Sequence, residues 1–136
     1  MAYTDKIAVF NYRLKTADVA AAPVDNEDLA VFMIPAGREI EIQGFSGYVE
    51  AASDTATDSI ELVNEADTVL AQIVIGATGK VSAKTAASQS TNATFPIRLA
   101  PQSTTAVSLL KLKANGAMDA TTTVNLQLHL SGLSAA

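Results

Sequence analysis

The stretch VFMIPAGREIEIQGF, residues 31–45, joins two hydropathy patterns at one corner. Before Pro35 the chain is an unbroken apolar run from Leu29 to Ile34. After Gly37, Ile40 and Ile42 alternate with Glu39, Glu41 and Gln43. Strict alternation marks a strand with one dry and one wet face, because successive side chains point to opposite sides. A short continuous run bounded by turn residues suits a strand covered on both faces, so residues 29–34 are expected to form a central strand. The intervening Ile-Pro-Ala-Gly predicts a type I turn, with Pro35 second and Gly37 fourth. Between Ile42 and Phe45 the apolar parity shifts, which places a β-bulge near Gly44.

Both patterns recur along the chain. Residues 6–14 put Ala8, Phe10, Tyr12 and Leu14 on one face and Ile7, Val9, Asn11 and Arg13 on the other, so Phe10 and Tyr12 are expected in the core. Residues 15–28 read as a long connection with one helical turn from Thr16, ended before Pro23. After a polar loop over 51–59, strands are expected at 59–63 and 68–75, joined by Asn64-Glu65-Ala66-Asp67. Gly76 and Gly79 bracket the next turn. A brief strand around Val81 and an exposed loop to residue 93 follow. The last three segments are 94–100, 106–114 and 121–130, joined by Pro-Gln-Ser-Thr and by Asn-Gly-Ala-Met-Asp-Ala. Leu110 and Leu112 should face in with Lys111 and Lys113 out. Val124, Leu126, Leu128 and Leu130 should face in with Asn125, Gln127 and His129 out. Pro96 requires its strand to lie at an edge or to begin after Phe95. Eight or nine such strands predict one all-β domain over 1–136, an antiparallel β-sandwich of jelly-roll type with a long loop at about 15–28. A chain of this length buries roughly two-thirds of its unfolded surface, so one core suffices.

Composition narrows the role. The absence of cysteine excludes a disulfide framework, thiolate zinc sites and cysteine nucleophiles. Nine Lys and Arg oppose fourteen Asp and Glu, and only Lys111 and Lys113 stand close together, so no basic stripe exists to engage nucleic acid. Neither a signal peptide nor an apolar membrane helix is expected, which implies synthesis and folding in a cytoplasm. Alanine and threonine make up 39 of 136 residues, and the mean hydropathy of +0.23 comes from aliphatic side chains rather than from the seven aromatics. Such a chain is expected to bury more surface than a monomer offers, as a homo-oligomer.

Candidate chemistry is sparse. His129, the only histidine, falls at an outward strand position. Gly44-Phe45-Ser46-Gly47 lacks the spacing of a nucleophile elbow. Carboxylates gather at Asp25, Glu27 and Asp28, at Asp54 and Asp58, and at Glu61, Glu65 and Asp67, yet none follows the twelve-residue calcium loop; bound calcium would raise the melting temperature. Gly76 and Gly79 are too few for a phosphate-binding loop. Asn92-Ala93-Thr94 has the form of a glycosylation acceptor but follows no secretory signal. A carbohydrate-binding sandwich would use exposed aromatic platforms; tryptophan is absent, and Tyr3, Tyr12 and Tyr48 are expected to be partly buried. No catalytic, cofactor-binding or metal-ligating residue is assigned, and the expected protein is not an enzyme.

The stretch FMIPAGREIEIQGFSGYVEA, residues 32–51, runs a strand into a Pro-x-Gly corner and out along an alternating strand, and DSIELVNEADTVLAQI sets two strands about a short turn containing an aspartate. Over residues 29–75 this pattern resembles small structural proteins of tailed-bacteriophage heads, the capsid decoration or cement class. The resemblance implies a virion protein, made in the host cytoplasm, that binds a major capsid protein on the outside of the shell. It implies a homo-oligomer, a trimer above all, that stabilises the shell without chemistry of its own. The alternatives are a ligand-binding sandwich such as a carbohydrate-binding module, and a phage tail or fibre component.

Overall fold

The computed structural model describes residues 3–100 and 103–134, and within them nine strands form two packed antiparallel sheets. In chain order the strands are β1 (Tyr3–Lys15), β2 (Asp28–Ile34), β3 (Glu39–Ala51), β4 (Ser59–Asn64), β5 (Val69–Val74), β6 (Gly79–Ser82), β7 (Ile97–Leu99), β8 (Ser108–Asn115) and β9 (Thr123–Ser134). One sheet, A, has the order β1-β9-β3-β6, with β7 also on β3. The other, B, has the order β2-β8-β4-β5. This is a long hairpin rolled up. Strand β1 pairs with β9, β2 with β8, β3 with β6 and β7, and β4 with β5, so that successive pairs fall on alternate sheets. The pairings β3·β9 and β4·β8 then join the halves of each sheet. The result is the jelly roll that the strand pattern predicts.

Alternation fills the space between the sheets. Ile42, Val49, Ile60, Leu62, Ile73, Leu110, Leu112 and Val124 are almost wholly buried there. Each contributes roughly 1.5–3 kcal/mol relative to exposure, so a single charged replacement at such a site is not tolerated. Leu126, Leu128 and Leu130 join them from β9, as expected.

The opening corner differs in phase from its prediction. The Arg38 amide donates to the Pro35 carbonyl at 3.2 Å, so the turn comprises Pro35–Arg38 and Gly37 is its third residue. Gly37 has φ +72°, the left-handed angle that a type II turn needs at that position. Its amide donates to the Ser103 carbonyl at 2.9 Å, which ties the corner to the segment before β8. The bulge is where the parity shift places it: Ile42 pairs with Leu130, but the next partner of β9, His129, faces Gly44.

Other expectations are corrected by the sheet order. Strand β2 is an edge rather than a central strand, and Val31 and Met33 are 50% and 73% exposed. Phe10 points toward the interior face of sheet A but lies on the edge strand β1, where it stays 39% exposed. Lys111 does face outward, yet it is nearly covered, with Val31 and Val63 directly opposite on the flanking strands. The segment after β6 is no free loop. Lys84 exchanges backbone hydrogen bonds with Gln72 of β5 at 3.0 and 2.7 Å, and the Gln72 side chain donates to the Thr85 carbonyl at 2.9 Å. The β5 edge is thereby capped, a common protection against unwanted strand pairing.

The long connection also behaves as structure. A 3-10 turn, Thr16–Asp18, supplies the expected helical turn, and the buried Thr16 hydroxyl donates to the Thr122 carbonyl at 3.2 Å. Asn26 donates to Ala114 at 2.8 Å and Ala114 to Glu27 at 2.9 Å, which fastens the crossing between sheets to β8. Strand β7 begins at Ile97, just after Pro96. Pro101 and Gln102 of the expected Pro-Gln-Ser-Thr turn lie outside the described residues.

Candidate functional site

Side chains that carry chemistry are dispersed by the fold. His129 lies mid-strand on β9, opposite Gly44, with its Nε2 2.9 Å from Gln127 Oε1. Gln127 uses its amide nitrogen to donate to Asn11 Oδ1 at 3.1 Å, so its oxygen accepts from the imidazole Nε2–H. Ser46 is also mid-strand, paired with Ser82 and Gln127, on no strand-to-helix turn. It makes no hydrogen bond to His129, so a relay between the two is not assembled.

The acidic clusters hold loops. Asp25 accepts from the Gly116 amide at 2.8 Å, and Asp28 lies 3.6 Å from Lys113. Asp58 is buried and accepts from the Ser53 hydroxyl, while Asp54 accepts from Thr55 at 3.4 Å. In the β4–β5 turn, Asn64 Oδ1 accepts from the Ala66 and Thr68 amides, each at 3.0 Å. This side-chain turn lets asparagine serve where glycine would be commoner. Asp67, at φ 61°, accepts from Lys111 at 2.7 Å and Lys113 at 3.3 Å. These bonds hold its carboxyl below the usual range and raise the Lys111 ammonium above its own. Burial, with Asp25 nearby, pushes the Glu61 carboxyl up, and Lys113 opposes that shift in part. The Thr122 hydroxyl and the Thr121 amide hold Asp119 low. Among the described residues no three histidine or acidic side chains are grouped to hold a metal.

The tyrosines divide. Tyr12 is half-buried and its phenol is raised by burial and by Glu27, whereas Tyr48 is 50% exposed on the outer face of sheet A, contrary to expectation. The side chain of Tyr3 lies outside the described residues. Asn92 of the Asn-Ala-Thr triplet accepts from Lys84 Nζ at 2.7 Å.

Exposed apolar groups concentrate on two strands. Strands β1 and β2 are edges of different sheets, and each pairs on one side only among the described residues. They meet through Phe10 and Phe32, whose ring centroids are 5.1 Å apart at 47°. Val9 and Phe10 on β1, with Val31 and Met33 on β2, present apolar surface beside two rows of unpaired backbone groups. On the other flank the segment from Ala83 to Ala93 bridges β6 and β5. The molecule thus has one closed flank and one open flank. Sequence reading missed the open flank because it put β2 in the middle of a sheet; the one available signal was that two apolar-rich strands flank the crossing at 15–28. Comparison with protein-family models, with characterised proteins and with solved structures finds no match.

Proposed function

We propose that this is a non-enzymatic structural protein of a bacteriophage virion, which binds the outside of the capsid and stabilises the shell. The observation that carries the reading is the open flank of β1 and β2. Two unpaired strand edges, lined by Val9, Phe10, Val31 and Met33, have the chemistry of an association surface: backbone pairing supplies register, and apolar burial supplies affinity. The head-protein class rests on the pattern over residues 29–75, and jelly rolls recur in viral shell proteins. Fold class by itself does not define function. Identical copies on a closed shell need a repeated contact, and a ring of three built through the open flanks provides it with three equivalent interfaces. Simultaneous contacts from one trimer to several capsid subunits then strengthen attachment by multivalency.

The test is addition of purified protein to preformed tailed-bacteriophage shells that lack it. Saturable binding with a rise in shell melting temperature supports the reading. Attachment to tails or fibres instead of shells would move the protein to the tail.

A further inference from the structure

We propose that the outer face of sheet A carries a groove for a neutral saccharide, which reaches β1 but not β2. Ser82, Ser46, Gln127 and Asn11 stand directly opposite one another across β6, β3, β9 and β1. At the usual strand spacing that row is roughly 14 Å long. Beside it lie two hollows that share Ser46. One, of about 420 Å³, is bounded by Gln43, Ser82, Asn92, Phe95 and His129. The other, of about 250 Å³, is bounded by Asn11, Tyr48, Asn125 and Gln127. The larger hollow exists because the bulge turns Gly44 to this face: no side chain fills the space, and the His129 ring lies 3.9 Å from where a Cβ would stand.

The lining chemistry selects the ligand. Neither hollow is lined by Lys, Arg, Asp or Glu. The ionic residues of this face stand around the hollows: Arg13 with Glu50 and Asn125, Arg98 with Glu39 and Glu41, Lys84 with Asn92, and Lys80 opposite Tyr48. Hydrogen-bonding capacity is nevertheless unspent. Among the described residues the Ser46 and Ser82 hydroxyls have no partner, and Asn92 uses only its oxygen, toward Lys84. Gln43 donates to Glu41 and Ser131, which fixes its amide with the oxygen available. Phe95 borders the larger hollow and the exposed ring of Tyr48 the smaller, and aromatic faces suit the C–H faces of sugar rings. Uncharged donors and acceptors in a row, with an aromatic ring beside each hollow, match a neutral oligosaccharide in reach and polarity.

The test titrates 15N-labelled full-length protein with maltotetraose, cellotetraose, chitotetraose and mannotetraose, with tetragalacturonate as the acidic comparator. Saturable shifts of the Gly44, Ser46, Ser82 and Asn92 amides with at least one neutral sugar are expected. Replacing both serines (Ser46→Ala with Ser82→Ala) should weaken binding about tenfold while preserving the remaining spectrum. Met33→Lys, on the open flank, should leave it unchanged. The proposal is overturned if no neutral sugar gives saturable shifts at these amides, which would make the face merely solvated. It is equally overturned if the serine variant binds as well as the parent, or if tetragalacturonate binds more tightly than every neutral sugar.

Discussion

Phe10 and Phe32 stack at 5.1 Å between edge strands of different sheets, and their tilted contact closes the interior between β1 and β2. Aromatic pairs of this geometry contribute about 0.5–1.5 kcal/mol beyond area burial. Phe10→Ala should therefore lower stability by about 1–2 kcal/mol, less than a fully buried phenylalanine would cost. A double-mutant cycle with Phe32→Ala in urea unfolding should return a coupling in the stacking range; additive losses would show that the rings act independently.

The facing of β3 yields the sharpest contrast in the core. Ile42 is completely buried, whereas its neighbour Glu41 faces out toward Arg98 at 3.7 Å. Ile42→Asp should abolish soluble folding by burying an unpaired carboxylate. Glu41→Ala should change stability by no more than about 0.5 kcal/mol, since exposed ion pairs contribute little. Circular dichroism and urea titration of both proteins check this, and comparable losses would show the assigned facing to be wrong.

Asp67 links stability to acid. Its folded pKa is depressed, so its contribution is complete above the unfolded carboxyl value and disappears as pH falls through the folded one. Asp67→Asn keeps a residue that tolerates the left-handed angle but removes the charge beside Lys111 and Lys113. The variant should melt below the parent at neutral pH, and the gap should close in acid. A constant gap at every pH would deny the ionic contribution.

Glu61 has the opposite sign. Its folded pKa is raised, chiefly by burial, so the folded state holds the proton longer than the unfolded chain and stability falls as pH rises through that interval. Glu61→Gln should raise the melting temperature at neutral pH and leave it unchanged at pH values where the carboxyl is protonated in both states. A lower melting temperature at neutral pH would mean that the attraction to Lys113 outweighs burial.

Asn64 holds the β4–β5 turn by two side-chain hydrogen bonds. Asn64→Ala should lose about 1–2 kcal/mol in urea unfolding, and Asn64→Asp, which keeps the acceptor oxygen, should recover most of it.

Much of this architecture is legible in residue order because one buried face imposes a period of two. Ile40 and Ile42, Leu110 and Leu112, and Val124 through Leu130 all report their facing directly. The apolar run at 29–34 does not, since it reads alike for a strand covered on both sides and for an edge with an apolar outer face. Phe10 misleads for the same reason: parity gives its direction but not its distance from the sheet edge. The segment 83–93 is rich in serine, threonine and alanine, and it is ordered by pairing to Gln72 and by hydrogen bonds within itself, which residue types do not announce. The groove on sheet A was still harder to see. It joins residues from Asn11 to His129 through strand register, and its single local mark in the sequence is the glycine at the β3 bulge.

Co-sedimentation with tailed-bacteriophage shells that lack such a protein, combined with the solution mass of the free protein, tests the proposed capsid role most directly. The account predicts a trimer that binds the shells saturably, with Val31→Lys and Met33→Lys folded but defective in assembly or binding. A monomer that stays in the supernatant, or edge-strand variants that assemble and bind as the parent does, would contradict it.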